Sequence, residues 1–313
     1  LMDFGVLFSG GAENGLDPRP LTPAEGFTAV AGGVAAIGIF MAFWSWVGFE
    51  ATVNYGEESR NPKKIVPRAT YVAVIGLGIF YTFTSWMVIS GLGWDDAVKT
   101  ARQDAVNFFY IPMEENVGVF AKDMMQWLIL TGSFACGMAF HNAASRYNYN
   151  LGRERVFPVF LGRTHPKWHS PYMGSIAQSA LAAAIVLTFI LLDKDPYLEL
   201  YVWLAVMGTF ALLLVQTLTA IATISYFERE HPEDVRWWQT RLAPALGAIG
   251  MASVLYLLIT NITDIGGDVW LIKATPWIVG GWFLIGLAMA YLIRRNDPAR
   301  YGAVGRLVNE GVQ

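Results

Sequence analysis

Apolar stretches without a single Asp, Glu, Lys or Arg recur seven times along the chain. They run from Thr28 to Phe49, Ala69 to Trp94, Met124 to Ser145, Ser170 to Leu192, Leu200 to Phe227, Leu242 to Thr263 and Ala274 to Ile293. Each is about 20 residues or longer, the length a helix rising 1.5 Å per residue needs to cross about 30 Å of hydrocarbon. The runs are continuous rather than alternating at every second position, which predicts helices and not barrel strands. The pattern predicts an all-α integral membrane protein with seven transmembrane helices, an extracellular segment over 1–27 and a transmembrane helical domain over 28–313. The longest connection, Asp95 to Asp123, has a helix-compatible stretch from Asp95 to Tyr110, broken at Pro112. Its apolar Phe108, Phe109, Tyr110 and Ile111 argue against disorder, so a partly helical external cap is expected over 95–123.

Orientation follows from Lys and Arg, which cytoplasmic connections carry in excess. Alternate connections and the C-terminal tail hold sixteen of them, among them Arg60, Lys64, Arg153, Arg236 and Arg294, whereas the other set holds six. This places the N-terminus outside and the C-terminus in the cytoplasm of a multi-pass plasma-membrane protein. Trp94, Trp203, Trp270 and Trp277 fall near span ends, where indole favours the headgroup region.

Composition agrees with the pattern: 54% of the 313 residues are hydrophobic and 15% charged, against roughly 25% charged in ordinary soluble domains. The expected solvent is the lipid bilayer. A net charge of -3 without a basic block offers nothing to nucleic acid. The single cysteine, Cys136, cannot form an intramolecular disulfide or a cluster of soft metal ligands. His165 and His169 have metal-ligand spacing, but Pro166 interrupts any helix between them. There is no Gly-x-x-x-x-Gly-Lys-Ser/Thr loop, no Gly-x-Ser-x-Gly elbow and no Ser-His-Asp arrangement within the spans. No cofactor, metal or enzymatic activity is expected.

The first span carries the most chemistry. It reads Phe43-Trp44-Ser45-Trp46-Val47-Gly48-Phe49-Glu50, placing a carboxylate beside a glycine among bulky apolar residues. Ionisable groups near membrane depth are costly and face a bundle interior or a wet cavity. Glycine weakens a helix by about 1 kcal/mol relative to alanine, so the segment is a candidate for an unwound break whose freed peptide groups could hold a small zwitterion. The alternative is a straight span in which Glu50 is the first interfacial residue and Gly48 a close helix contact. Packing or lipid contact is the default for Phe40, Phe43, Trp44, Trp46 and Phe49. In the third span Ser133, Gly137, His141 and Ser145 form one stripe at steps of four. Helix packing is its expected role, with His141 as a proton carrier the sharper reading.

The first-span residues, followed by Glu57-Glu58-Ser59-Arg60-Asn61-Pro62-Lys63-Lys64-Ile65-Val66-Pro67-Arg68-Ala69, resemble the sixth-helix signature of the amino acid-polyamine-organocation (APC) permeases. A second stretch, Ser145-Arg146-Tyr147, Gly152-Arg153-Glu154-Arg155-Val156-Phe157-Pro158, His165-Pro166-Lys167 and Ser170-Pro171, resembles that superfamily's loop after helix eight. Asn148, Tyr149 and Asn150 are more polar than usual there, and Val66 stands in for the commoner isoleucine. The resemblance implies that the seven spans are helices six to twelve of a fold built from two inverted five-helix repeats. The second repeat and two peripheral helices would be present, and the first repeat, needed for a complete site, missing. It further implies that backbone groups at Phe43, Trp44 and Val47 receive a substrate ammonium, with Ser45 and Gly48 in the same binding stretch. Trp44 would be the gating aromatic, and Glu50 would couple to protons or hold the break together.

The function expected is secondary active transport of an amino acid or related amine by alternating access, coupled to protons. The rivals are a seven-helix receptor or retinal-type protein, which lacks support from a lysine within the last span, and an inactive truncated product.

Overall fold

A computed structural model describes residues 34–304 apart from Glu57, Glu58 and Ala105. The 1–27 segment, the first residues of the first span, the Glu57-Glu58 pair and Arg306 lie outside the described residues. Among the described residues there are helices and turns and no strand.

The helices are α1 (Val34–Trp44), α2 (Pro62–Leu92), α3 (Trp94–Gln103), α4 (Tyr110–Val117), α5 (Val119–Arg153), α6 (Tyr172–Leu191), α7 (Val202–Glu230), α8 (Ala243–Thr260), α9 (Ile262–Gly266), α10 (Trp270–Asn296) and α11 (Pro298–Ala303). A 3-10 turn, Phe49–Tyr55, follows α1, and π-helical turns, Pro196–Tyr201 and Trp237–Leu242, lead into α7 and α8. Among the described residues, five helical stretches are long and apolar enough to cross a membrane: Lys64–Leu92, Tyr172–Leu191, Pro196–Glu230, Trp237–Thr260 and Trp270–Asn296. The described part of the first span continues past α1 as a shorter apolar stretch, Gly38–Val53. Helix α5 has 35 residues and extends about 52 Å at 1.5 Å per residue, but its Ser, Gly, His and Asn residues dilute its apolar character.

Two compact units divide the chain. Among the described residues, one comprises Gly48–Asn150 and Leu161–Ser175; the other comprises 34–47, Leu151–Phe160 and 176–304. In the first unit the Asn-Pro motif starts α2. Pro62 occupies the first turn, where its missing N–H costs nothing, and the Asn61 carbonyl accepts from the N–H groups of Lys64 and Ile65. Among its described residues the 95–123 connection holds most of α3, all of α4 and the start of α5, with the first interruption between Gln103 and Tyr110 rather than at Pro112. Pro112 sits within the first turn of α4, a position that tolerates proline. Close packing of α5 on the start of α6 is carried by Gly174, where an added Cβ would come within 2.5 Å of the Ser145 carbonyl.

The second unit has a continuous apolar core. Trp203, Val206, Phe210 and Leu213 recur at steps of three and four on one face of α7. They pack with Phe40 of α1, Leu258 of α8, Ile262 of α9 and Ile272 and Val279 of α10. Phe40 is 2% exposed, so packing is its role. Trp203, which span-end position suggests as a headgroup anchor, is instead a core residue, with the Lys194 ammonium 5.5 Å from its ring centre. Trp270 and Trp277 remain exposed. Many large apolar side chains on α2, α5, α6 and α10 are likewise exposed. Such surfaces suit lipid, because hydrocarbon tails are as apolar as the side chains.

Candidate functional site: a break in the first helix

Helix α1 ends at Trp44, well before the end of its apolar run. The Ser45 N–H still reaches the Met41 carbonyl at 3.0 Å, but Trp46 and Val47 donate one residue short of the α pattern, to Phe43 at 3.0 Å and Trp44 at 3.1 Å. At Gly48 the chain turns into the left-handed region, with φ 112°. Its N–H leaves the ladder and donates to the Glu50 carboxylate, Oε2, at 3.0 Å. The 3-10 turn then begins with Ala51 donating to the Gly48 carbonyl. The straight-span alternative is excluded.

Two features make the break local and specific. A Cβ at Gly48 would have space, meeting only the Phe140 ring at 3.6 Å. The positive φ, which L side chains adopt at a cost, is therefore what demands glycine. The carboxylate two residues on supplies an acceptor stronger than a neutral carbonyl. Glu50 thereby substitutes for the missing helix partner of Gly48. The turn beyond it is tied to α2 through the Thr52 and Thr70 hydroxyls, 2.6 Å apart, and Thr70 donates to the Val66 carbonyl at 2.9 Å. The signature's Val66-Pro67-Arg68-Ala69 stretch thus lies on the helix that holds the far side of the break. The division between the two compact units falls between Val47 and Gly48.

Of the expected site residues, Phe43, Trp44, Ser45, Val47 and Gly48 occupy the end of α1 and the turn after it. Phe43 packs against the core of the second unit. Ser45 turns its hydroxyl back to the Met41 carbonyl at 2.9 Å. Trp44 is half-buried, and its indole N–H donates to the Tyr201 hydroxyl at 3.3 Å. The two rings meet edge to face, with centres 6.1 Å apart. Nothing in the sequence links these residues, which lie 157 positions apart.

His141 has its described partner on α6. Its Nε2 lies 2.9 Å from the Ser175 hydroxyl at the start of α6, and Ser145, one turn on, donates to the His141 carbonyl at 2.7 Å. The stripe is therefore divided: Ser145 is buried and His141 half-buried, whereas Ser133 and Gly137 are exposed. The second signature stretch forms the end of α5 and the turns after it. Arg155 adopts φ 59°, and the Phe157 N–H returns to the Leu151 carbonyl at 3.0 Å, closing the helix C-terminus. His165 accepts at Nδ1 from the N–H groups of Lys167 and Trp168, both at 3.2 Å, which gives it a turn-forming role.

Long apolar helices with one deliberately interrupted near a carboxylate define a multi-pass helical membrane protein of the broken-helix kind. A family model described as "Amino acid permease" matches residues 4–288, and the chain belongs to that family. It is 28% identical over 144 residues to the low-affinity putrescine importer PlaP of Escherichia coli (strain K12), covering 44% of this chain and 30% of that one. It is 25% identical over 276 residues to a vacuolar cationic amino acid transporter of Arabidopsis thaliana, covering 84% and 41%. Against the branched-chain amino acid permease BcaP of Bacillus subtilis (strain 168) it is 21% identical over 270 residues, covering 83% and 51%. The chain spans about a third to a half of the length of these relatives. No solved structure gives a significant match.

Proposed function

We propose that this chain is the second-repeat half of a secondary active transporter for an amino acid or related amine, working by alternating access. The observation that carries the reading is the break after Trp44, where Gly48 leaves the helix and Glu50 takes its N–H. A helix interrupted within an apolar run presents peptide dipoles at membrane depth, the means by which a small charged solute can be held without a fixed side-chain charge. In this reading the peptide groups at Phe43, Trp44 and Val47, with Ser45 and Gly48, contact the substrate's ammonium end, and the Trp44 ring closes over it. The relatives' names, which include amino acid and putrescine transport, support a nitrogen-bearing substrate.

Glu50 couples protons to the break in this proposal. Protonation would remove the charge that strengthens its hydrogen bond from Gly48, loosening the turn. The N-terminal end of the chain is placed outside and the C-terminal end in the cytoplasm, with 95–123 as an external cap, on the basis of the Lys and Arg distribution. A first repeat preceding this chain would complete the site. The partial coverage of the relatives and the exposed small residues Ser133 and Gly137 support that arrangement.

The test is uptake of radiolabelled L-leucine, L-lysine and putrescine by the full-length protein in a host lacking the corresponding systems. Saturable uptake of at least one, reduced tenfold or more by Trp44→Ala at equal expression, is expected. Uptake by none of the three, or uptake indifferent to Trp44→Ala, would remove the break from the transport site.

A further inference from the structure

Trp44 does not stand alone at the end of α1. Its indole N–H meets the Tyr201 hydroxyl at 3.3 Å, and the Tyr201 ring lies edge-on to it, the planes 83° apart. Tyr197 stacks on the other ring of the pair, almost parallel to Tyr201 at 6° with centres 5.5 Å apart. Both tyrosines belong to the π-helical turn Pro196–Tyr201, where residues four apart fall nearly one above the other.

That turn is secured at both ends. Asp195 caps it, its Oδ1 accepting from the N–H groups of Tyr197 at 2.8 Å and Leu198 at 2.6 Å. Glu199 accepts from the Asp195 N–H at 2.9 Å and pairs with Lys194 at 2.8 Å. Lys194 lies over Trp203, which is buried in the α7 core. A chain of polar and aromatic contacts therefore runs from the buried core through the turn to the Trp44 indole. Tyr197 and Tyr201 are both exposed, so burying apolar surface does not account for their arrangement. Two stacked rings ending in a hydroxyl aimed at an indole are what would fix that indole's direction.

We propose that Tyr201, braced by Tyr197, is a positioning residue that holds Trp44 in one orientation, so that the turn before α7 sets how the indole closes over substrate. The inference rests on the gating role proposed for Trp44. Tyr201 acts through the indole and touches no reacting group. Motion of the π-helical turn would be transmitted to Trp44 by this hydrogen bond and edge contact.

The experiment uses the full-length protein and its Tyr201→Phe, Tyr201→Ala and Tyr197→Ala variants. Uptake of whichever of L-leucine, L-lysine and putrescine the wild type carries is measured for KM and maximal rate. In parallel, fluorine NMR of 5-fluorotryptophan-labelled protein follows the Trp44 signal, assigned by its loss in Trp44→Phe. Removing only the hydroxyl in Tyr201→Phe deletes one hydrogen bond and should shift the Trp44 signal and raise KM roughly three- to tenfold, with the maximal rate little changed. Tyr201→Ala should also broaden that signal, and Tyr197→Ala should give a smaller change of the same kind.

A Trp44 signal unmoved by Tyr201→Phe, in protein with normal size-exclusion behaviour, overturns the inference even if no probe is transported. So does a shifted signal with wild-type KM when Trp44→Ala abolishes uptake. Wild-type uptake in Trp44→Ala itself marks the different failure, that of the gating role on which the inference rests.

Discussion

Two glycines in apolar runs, Gly48 and Gly208, meet opposite fates. Gly208 lies inside α7, between Met207 and Thr209, and the helix passes through it without interruption. Gly48 lies in a run just as apolar, and there the helix ends. Glycine's weak helix preference is common to both, so it cannot be the cause of the difference. What differs is the competitor. Two residues after Gly48 a carboxylate is ready to take its N–H. Two residues after Gly208 stands Phe210, a core side chain that holds α7 against its neighbours. Glycine permits a break, a stronger acceptor makes it, and a helix without that acceptor, packed along one face, runs on through its glycine.

The largest effect that would break this comparison is expected from Gly48→Val. A β-branched residue forced to φ 112° costs of order 1–3 kcal/mol, and the chain can relieve it by rebuilding the helix. Uptake should fall by more than tenfold while the protein still inserts and stays monodisperse; near-normal uptake would show that the left-handed turn is dispensable. Next in size is Glu50→Gln. A neutral amide keeps an acceptor but loses the charge, weakening a bond of the kind worth about 1.5–3 kcal/mol. The pH dependence of uptake should flatten and the rate drop several-fold. A profile identical to wild type would leave Glu50 as a purely structural cap.

Gly208→Ala sharpens the comparison from the other side. Among the described residues no atom beyond the helix's own backbone and the chain neighbours lies within 4 Å of the added Cβ, and alanine favours the helix by up to about 1 kcal/mol, so uptake should be unchanged and the thermal midpoint equal or slightly higher. A loss of transport would mean that α7 also needs to open at its glycine. The smallest effect is expected from Lys122→Ala. The hydrogen bond from its ammonium to Glu114 raises the Lys122 pKa above the ordinary value of 10.5. The contribution of the charged form is thus fully present below 10.5 and is lost only as pH rises through the raised value. Exposed pairs of this kind contribute little, so thermal midpoints measured from pH 5 to 9 should match wild type throughout.

The fold class was readable in the charge-free runs because each is as long as a bilayer is thick and lacks a period of two. The break was readable as a possibility, since Gly48 and Glu50 are two residues apart and their interaction is local. Helix ends were harder. Pro112 suggests a stop by residue type, yet its place within the first turn of α4 makes it compatible with the helix. Trp203 suggests an interfacial anchor by position, yet the α7 core absorbs it. His141 lay on a recognisable stripe, but its partner Ser175 sits on another helix.

Sequence by itself determined the quantities that depend on near neighbours: apolar length, the glycine able to turn left-handed, and the carboxylate within reach of its N–H. Tertiary structure alone decided which side chains meet across long separations. The Trp44–Tyr201 hydrogen bond joins residues 157 positions apart, and Phe40 finds its place in the core shared by α7, α8 and α10 rather than in lipid. The physical reason is that an aromatic residue in an apolar run is equally content against hydrocarbon tails or another helix, so composition cannot choose. Only the packing of α1 on α8, within the core that α7 and α10 share, makes that choice.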